Sequence, residues 1–395
     1  MHAQKTNARR LIVICAAVCA GMLLGGAACG VRPKAPAPVR FEAGDTVQYV
    51  PVDTKVFALT YDDGPNPPYT TEILDLLKAE GVKATFFLVG ENVARHPDVA
   101  KRIQDEGHDI GNHTFSHPLL EARPRDEVIR EIEMTEREIT KATGQRAAFF
   151  RSSFGTVPRD LGSVCEERGY LVVGWSLDGN DWSSKEPREI ADLVMSRLHP
   201  GAIVLLHDGR DTHDGHDQSR CVEATRMILR EAKAQGYEAV SMRALIGRYR
   251  PSPDEIQFPG GCRYMGMRLV PPTVPAGGEL RAAYYWYFTA DATRETLGIA
   301  VHYAGADGVV GVQDDHDLNT GHIKAFEDKV FVPAGLKPGA YTAQIALCRG
   351  EEPKWIDRVP LQTELPVKRR MARTHSVLTV TAAAPAPRQR SGQAP

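Results

Sequence analysis

Carboxylates, imidazoles and one guanidinium recur where apolar runs of this chain end. In chain order, the side chains concerned are Asp62, Asp63, His113, His117, Arg151, Asp178, Asp181, His207 and Asp208. Each of them alone would be an ordinary surface residue. Parallel strands end at one edge of a sheet, however, so such groups at five strand ends would meet there. The pattern therefore predicts a catalytic site built from several strands.

The stretch ALTYDDGPNP places Asp62 and Asp63 side by side before Gly64 and Pro65. Turns favour Asp, Gly and Pro, so a solvated turn is one explanation of this stretch. A metal-dependent hydrolase is another, because it uses one carboxylate as a metal ligand and a second as a base. The neighbouring motifs have to decide between these two interpretations.

His113 and His117 are four residues apart in HDIGNHTFSHP. Two imidazoles at this spacing lie on one face of a helical turn, where both can reach one ion. Pro118 disfavours helix at His117, so we expect a tight turn. The spacing alone is weak, but with a carboxylate from another strand it makes a two-histidine, one-carboxylate site with open positions for water.

Short apolar strands alternate with amphipathic helices from residue 55 onward. The predicted strands include VFALT, KATFFLV, AAFF, LVVGWSL, AIVLL and EAVSM. Helical patterns lie between them, for example near 124–143, 187–198 and 221–235. This alternation predicts an α/β fold in which helices cover a parallel sheet of about seven units, closed into a barrel or left open.

The sequence pattern changes beyond residue 250. Short strands between Gly, Pro and Asp turns there predict a small all-β, immunoglobulin-like sandwich. Its aromatic stretch YYWYF (284–288) fits a strand buried on one face better than a sugar-binding platform. The predicted domain ranges are a signal peptide at 1–29, a Pro/Ala-rich tether at 30–49, the α/β domain at 50–250, a linker at 251–266, the sandwich at 267–383 and a disordered tail at 384–395.

The N-terminus has basic residues, an apolar run and the small-residue end GAAC, which is typical of an export signal. GAAC resembles a bacterial lipoprotein signal, in which Cys29 would be lipidated, and cleavage by ordinary signal peptidase is the alternative. We therefore expect an exported protein of the cell envelope, with a membrane contact only through that lipid.

Nothing in the overall composition suggests a nucleic-acid-binding protein. The net charge of −2 would become −5 after removal of residues 1–29, which carry three basic and no acidic residues. Four cysteines would remain besides Cys29, namely Cys165, Cys221, Cys262 and Cys348. They allow three complete disulfide pairings, among which the sequence does not choose.

Five motifs occur in order along the chain: TYDDGP (60–65), HTFSHP (113–118), FRSSFG (150–155), DGNDW (178–182) and LLHD (205–208). Together they resemble the polysaccharide deacetylase family, the family 4 carbohydrate esterases that share the NodB homology domain. The resemblance covers residues 50–247 and implies a distorted (β/α)7-type barrel. It also implies a divalent metal, usually Zn²⁺, with Co²⁺, Ni²⁺ or Mn²⁺ as alternatives.

The resemblance implies a role for each matching residue. Asp62 corresponds to the general base, Arg151 to the arginine that holds it, His207 to the general acid and Asp181 to the carboxylate that tunes this histidine. Asp63, His113 and His117 correspond to the metal ligands. The residues expected to contact substrate are Phe154, through its backbone amide at the oxyanion, Trp182, Leu206, at the acetyl methyl group, and Tyr61.

This chain departs from the family pattern at one loop, because Ser152 and Ser153 stand where prolines usually follow the arginine. The sequence hypothesis is a hydrolase that removes N-acetyl groups from N-acetylglucosamine units of peptidoglycan, an exopolysaccharide or a chitin-like polymer. Two alternatives are an O-acetyl esterase on a glycan such as xylan and a catalytically silent, glycan-binding surface lipoprotein.

Overall fold

The computed structural model describes residues 39–184, 186–258, 261–292, 297–306, 310–313, 316–318, 325–349 and 372–382. The predicted signal peptide with Cys29, most of the tether and the tail lie outside these ranges. Within them, no helix combines the length and the apolar character that crossing a membrane requires.

The first part of the fold is an α/β domain with a parallel sheet. Its strands are β1 (Thr46–Val47), β2 (Val56–Gly64), β3 (Thr85–Leu88), β4 (Asp109–Asn112), β5 (Phe149–Phe150), β6 (Leu171–Val173), β7 (Leu177–Asp178), β8 (Ile203–His207) and β9 (Glu238–Val240). They pair in the order β1-β6-β5-β4-β3-β2-β8-β7, and β9 also pairs with β2. All these pairs are parallel, as the alternation of strands and helices predicts.

Eight helices occur between or after these strands in the described ranges. They are α1 (Tyr69–Glu80), α2 (Gly90–Arg95), α3 (Pro97–Asp105), α4 (Arg125–Thr143), α5 (Leu161–Glu166), α6 (Pro187–Arg197), α7 (Ser219–Ala234) and α8 (Met242–Gly247). Gly81 and Gly144 end α1 and α4 with positive φ, the conformation in which glycine carries no steric penalty. The helices bury one face each against the sheet, which leaves the strand ends to form the site.

Strand β2 lies inside the sheet, between β3 and β8, and is buried along all nine residues. Its register with β8 places Asp62 opposite His207 at the carboxyl ends of both strands. Arg151, just after β5, donates hydrogen bonds to the carbonyl oxygen of Val173 in the neighbouring β6 and to Asp62 of β2. Strands β4 and β3 lie between β5 and β2, so the sheet has to curl for this second contact to form. The curl brings non-neighbouring strand ends to one place.

The C-terminal part is all-β and consists of β10 (Ile256–Phe258), β11 (Cys262–Val270), β12 (Thr273–Pro275), β13 (Glu279–Phe288), β14 (Leu297–Ala304), β15 (Val310–Gln313), β16 (His316–Leu318), β17 (Phe326–Phe331), β18 (Gly339–Arg349) and β19 (Ala372–Thr381). One sheet has the order β12-β19-β18-β14-β15, and β16 also pairs with β14. The other strands join the α/β sheet through antiparallel pairing of β13 with β1. The immunoglobulin-like topology stays a prediction.

The range 251–266 differs from the predicted linker, because β10 and the start of β11 lie in it. These strands pair with each other, and β11 pairs with β13. The physical reason is that Ile256, Phe258 and Tyr264 are buried in the C-terminal core, which the Pro and Gly residues around them obscured in the sequence.

The aromatic stretch of β13 is buried on both faces. Tyr284, Trp286 and Phe288 pack in the C-terminal core, whereas Tyr285 and Tyr287 pack in the core of the α/β domain. The sequence pattern predicted one buried face, and the second is explained by the α/β domain lying against it. A strand enclosed in this way has no ring available for a sugar.

The described residues exclude all three complete disulfide pairings that the sequence left open. Cys221 and Cys262 are buried free thiols. Each of the three complete pairings would place Cys221 in a disulfide, so none of them is formed. The side chain of Cys348 lies outside the part of the molecule that the structure describes.

Candidate active site

The carboxyl ends of the parallel strands surround a cleft of about 430 Å³. Its lining residues are Asp62, Asp63, His113, His117, Ser152, Phe154, Gly155, Trp175, Asp178, Trp182, Leu205, His207, Gly209, Arg210, Asp211, His216, Gln218 and Arg220. Asp62, Asp63, Asp178 and all three predicted histidines therefore share one cleft. Asp181 and Arg151 lie directly behind it, in contact with residues that line it.

Asp63, His113 and His117 form a compact group of potential metal ligands. The Oδ1 atom of Asp63 lies 3.4 Å from Nε2 of His113 and 3.2 Å from Nε2 of His117. This oxygen is buried and accepts no hydrogen bond, although a buried carboxylate oxygen normally has a partner. An unsatisfied oxygen beside two imidazole nitrogens is what a divalent cation would satisfy.

The far side of each histidine is held by a second residue. Nδ1 of His113 donates to the carbonyl oxygen of Arg151 at 2.8 Å, which leaves Nε2 with its lone pair toward Asp63. Nδ1 of His117 lies 2.7 Å from Oδ1 of Asp211. Two imidazole nitrogens and a carboxylate oxygen are ligand types that zinc and similar divalent ions prefer. The residues present here therefore fit such an ion.

The carboxylates and imidazoles of this group stabilise each other's charged forms. Burial would raise the pKa of Asp63, but the imidazoles of His117 and His113 outweigh burial and hold that pKa below its ordinary value. Burial likewise disfavours the cationic form of His117, yet the carboxylates of Asp63 and Asp211 raise its pKa. The site therefore favours an ionised Asp63, the form that binds a cation.

The local backbone separates the two adjacent aspartates. Asp63 has φ of 74° and lies at an irregularity in the β2–β3 ladder, so the usual alternation of side chains breaks between Asp62 and Gly64. A side chain at position 64 would collide with the carboxylate of Asp208, and one at position 209 with the backbone of Asp63. Glycine at both positions lets the end of β8 pack closely against this turn.

Asp62 is held by a fully buried arginine. Nη1 of Arg151 donates to Oδ1 of Asp62 at 2.7 Å, and Oδ2 of Asp62 lies 3.6 Å from Nε2 of His113. The guanidinium also donates to the carbonyl oxygens of Val173 and Gly174. Asp62 is thereby fixed with one oxygen on the arginine and one facing the histidines, as a base beside a metal site requires.

On the opposite side of the cleft, Asp181 holds His207 by two hydrogen bonds. Its Oδ2 accepts the backbone N–H of His207 and its Oδ1 accepts Nδ1–H, both at 2.8 Å. Burial alone would lower the pKa of His207, but Asp181, with smaller contributions from Asp63 and Asp62, raises it to about 10. The ring is therefore cationic at neutral pH and can donate a proton.

Phe154 and Trp182 are exposed aromatic residues on the cleft, at 56% and 61% of their accessible surface. The ring of Phe154 lies 4.6 Å from that of His117, between ring centres. Two deeper residues, Ser152 and Trp175, present buried polar atoms without a hydrogen-bond partner, Oγ and Nε1 respectively. Exposed rings and unsatisfied donors suit a hydroxylated, ring-shaped ligand.

Two predicted substrate contacts are placed elsewhere. Leu206 is fully buried and does not line the cleft, whereas Leu205 does. Side chains alternate along β8, so the face that presents His207 also presents Leu205 and turns Leu206 away. Tyr61 is also fully buried, where its hydroxyl bonds to Thr225 of α7 and its ring stacks on Phe86. It faces the helix layer because Thr60 and Asp62 face Arg151.

Two aspartates of the site were given no role by the sequence: Asp211 was not singled out, and Asp208 was noted only as a strand-end residue. Asp211 donates its backbone N–H to Oδ2 of Asp63 and contacts His117 through its carboxylate. Asp208 lies buried beneath Gly64 and accepts a hydrogen bond from Thr70 at 2.5 Å, and burial raises its pKa to about 7. Asp208 follows His207 directly, which was a usable signal, but nothing in GRDTHDGHDQ distinguished Asp211 from its acidic neighbours.

Non-glycine residues with positive φ concentrate here. In the described ranges they are Asp63, Thr114, His117, Phe154, Asn180 and Asp211. Each is a residue discussed above or the neighbour of one, since Thr114 follows His113 and Asn180 precedes Asp181. Such conformations cost about 1 kcal/mol or more each and persist where the surroundings enforce them, commonly at functional sites.

Comparison with known proteins agrees with this geometry. The family model described as Polysaccharide deacetylase matches residues 49–173. Two peptidoglycan-N-acetylglucosamine deacetylases of Bacillus cereus are similar to this chain. One is 37% identical over 196 residues, which cover 50% of this chain and 70% of that protein. The other is 37% identical over 203 residues, which cover 51% of this chain and 92% of that protein.

A chitooligosaccharide deacetylase of Rhizobium leguminosarum bv. trifolii is 43% identical over 157 residues, which cover 40% of this chain and 73% of that protein. The similarity thus extends over most of each relative, and the residues that the family model matches include Asp62, Asp63, His113, His117 and Arg151. The chain therefore belongs to the polysaccharide deacetylase family and is an enzyme of the polysaccharide deacetylase class.

Proposed function

We propose that this protein is a metal-dependent hydrolase that removes N-acetyl groups from N-acetylglucosamine units of an envelope or extracellular polysaccharide. The proposal rests on one arrangement: two side chains, each fixed by a charged partner, lie on either side of one group of potential metal ligands. Asp62, fixed by Arg151, and His207, fixed by Asp181, flank the cleft that contains Asp63, His113 and His117. A base, an acid and a metal site in one cleft suit amide hydrolysis.

We propose zinc as the native ion, with cobalt, nickel or manganese as substitutes, held by Asp63, His113 and His117. When bound, the ion would polarise the acetyl carbonyl and make water more acidic. Asp62 would accept the proton of the attacking water, and the backbone N–H of Phe154 would donate to the developing oxyanion.

The second half of the reaction falls to His207 in this proposal. Water oxygen bonds to the acetyl carbon, the carbon–nitrogen bond breaks, and the Nε2–H of His207 protonates the departing nitrogen. The products are acetate and the free amine of glucosamine. Leu205 lines the cleft two residues before His207 and is our candidate for the contact with the acetyl methyl group.

The proposed polymer is supported by the relatives, whose names specify peptidoglycan and chitooligosaccharides as their substrates. An O-acetyl esterase would use the same catalytic groups, so the two reactions have to be separated by assay. The contact of Trp182 and Phe154 with a sugar ring is part of the same proposal.

Acetate release tests this function directly. Purified protein with added zinc should release acetate from N-acetylglucosamine oligomers faster than from acetylated xylan. Asp62→Asn should lower kcat/KM at least about 100-fold, because proton transfer loses its base. Asp192→Asn, an exposed carboxylate on α6, is the matched control and should leave the rate unchanged. Equal rates for Asp62→Asn and wild type would refute the assigned base, and a preference for xylan would favour the esterase.

The acid role of His207 can be tested without turnover, by NMR titration of its ring in metal-free protein. The wild-type ring should stay protonated until about pH 10. In Asp181→Asn the carboxylate that raises the pKa is gone, so burial should dominate and the ring should lose its proton below its ordinary pKa. A raised pKa stabilises the fold fully below the ordinary pKa of histidine and progressively less as the pH rises toward about 10, so the variant should lose this stabilisation at neutral pH. A ring in Asp181→Asn that still titrates near pH 10 would contradict the assignment.

We also propose that the protein is exported and held in the cell envelope by a lipid on Cys29, with secretion as the alternative. Detergent phase partitioning of protein from cells tests this. The wild type should enter the detergent phase and Cys29→Ser the aqueous phase. Both proteins in the cytoplasmic fraction with the N-terminal segment intact would disprove export.

A further inference from the structure

Two arginines line the catalytic cleft outside the machinery described so far. Arg220 belongs to the first turn of α7, and its Nη1 donates to the carbonyl oxygen of Ser184 at 3.0 Å. Arg210 lies in the 209–218 loop, and its Nη1 contacts Nε2 of His216 at 3.3 Å. Within the described residues, neither guanidinium lies at ion-pair distance from a carboxylate. Both therefore keep donors and charge available to a ligand.

The position of Arg220 is not explained by helix stability. The start of a helix carries a partial positive charge, so acidic residues are favourable there and basic ones unfavourable. The first turn of α7 nevertheless contains Arg220 and no acidic residue. Asp217, just before the helix, accepts the N–H of Ser219, and this residue together with the more distant charge of Arg220 lowers the pKa of the Asp217 carboxyl. A residue that breaks a local rule while lining a catalytic cleft points to a function there.

The 209–218 loop is fixed by side chains from other elements, so Arg210 is presented from a defined backbone. Asn92 donates to the carbonyl oxygen of Asp211 at 2.8 Å, and Asn66 to that of His216 at 2.9 Å. Arg95 donates to the carbonyl oxygen of Thr212 at 2.8 Å. This anchoring is what a binding residue needs, because little conformational entropy of the backbone is lost when a ligand binds.

The acids of the cleft do not neutralise these arginines. Asp62 is paired with Arg151, Asp63 with the two histidines, and Asp211 with His117. Asp178 also lines the cleft, and its carboxylate accepts the backbone N–H of Asn180 at 2.8 Å. The edge formed by the start of α7 and the 209–218 loop therefore presents two guanidiniums to the cleft, and the exposed ring of Trp182 lies two residues from Ser184 along the chain.

We propose that Arg210 and Arg220 bind a carboxylate carried by a sugar neighbouring the one that is deacetylated. This inference rests on the proposed function and specifies its substrate class as an acidic glycan rather than a neutral chitin-like one. The planar guanidinium fork matches a carboxylate, which makes arginine suited to this recognition. The carboxylate could come from the lactyl group of N-acetylmuramic acid or from a uronic acid.

Three tetrasaccharides distinguish these cases when acetate release is measured with the zinc-loaded full chain. They are an N-acetylglucosamine tetramer, a tetramer alternating N-acetylglucosamine with N-acetylmuramic acid that has free lactyl carboxylates, and one alternating N-acetylglucosamine with glucuronic acid. We expect kcat/KM to be about tenfold higher for one of the acidic compounds than for the neutral one, the size of one charge-assisted hydrogen bond. The acidic compound preferred identifies the source of the carboxylate.

Arg220→Gln and Arg210→Gln should each reduce the ratio of kcat/KM between acidic and neutral substrates, and the double variant should abolish the preference. Arg226→Gln is the matched control, since Arg226 is an exposed residue of the same helix that pairs with Glu223. It should leave the ratio unchanged. Raising the salt concentration to ~0.5 M should weaken the preference of the wild type, because exposed charges are screened.

Two results would overturn the inference while leaving the proposed function intact. One is equal kcat/KM of the wild type for all three tetrasaccharides. The other is a loss in Arg220→Gln by the same factor on acidic and neutral compounds, which would mean that Arg220 only holds the Ser184 carbonyl. Absence of acetate from every compound would contradict the proposed function instead. Calorimetric binding of the same tetrasaccharides to the wild type and to the double variant would then decide the arginine inference by itself.

Discussion

The buried ion pair between Asp62 and Arg151 is the interaction on which the site depends. Arg151 is fully buried, and its guanidinium lies 4.0 Å from the ring centre of Phe87 while donating to Asp62 and to two carbonyl oxygens of the β6 end. Two buried charges are tolerated only when they are paired and hydrogen-bonded, and removing one partner typically costs about 3–5 kcal/mol. This ion pair therefore holds the ends of β2, β5 and β6 in a defined arrangement.

Arg151 also links the base to the metal-binding group through its backbone. Its guanidinium positions Asp62, while its carbonyl oxygen accepts Nδ1–H of His113 and so directs Nε2 of that ring toward Asp63. The sheet has to curl for one residue to reach β2 and β6 together. The strained conformations of Asp63, Thr114 and His117 follow from the same demand, since regular strands would not converge their side chains on one point.

Much of this could be predicted from the sequence, because short apolar runs and amphipathic helices are local patterns. Asp62, Asp63 and His207 follow apolar runs, and His113 and His117 follow the turn at Gly107. These positions and the spacing of the two histidines predicted that the five side chains share one cleft. The predictions failed where a side chain's direction depends on its strand register, as for Leu206 and Tyr61. Alternation along β8 would have indicated Leu205, since His207 has to face the cleft.

Other features depend on tertiary contacts that no local sequence pattern indicates. Asp211 takes part in the site because Asn92 and Arg95 hold its loop over Asp63, and these contacts are far apart in sequence. Residues 256–258 and 262–266 form strands because β11 pairs with β13 and β10 pairs with β11, although the composition around them favours a linker. Ser152, by contrast, was recognised as a departure, and its buried hydroxyl without a partner makes that departure a feature of the cleft.

The proposed chemistry requires that Asp63, His113 and His117 hold one catalytic divalent ion. Anomalous diffraction at the zinc absorption edge, from crystals of the full chain grown with zinc, locates such an ion without relying on turnover. We expect one strong peak at bonding distance from Oδ1 of Asp63 and Nε2 of both histidines. A strong peak on other residues of the cleft, with none between these three atoms, would contradict the assignment.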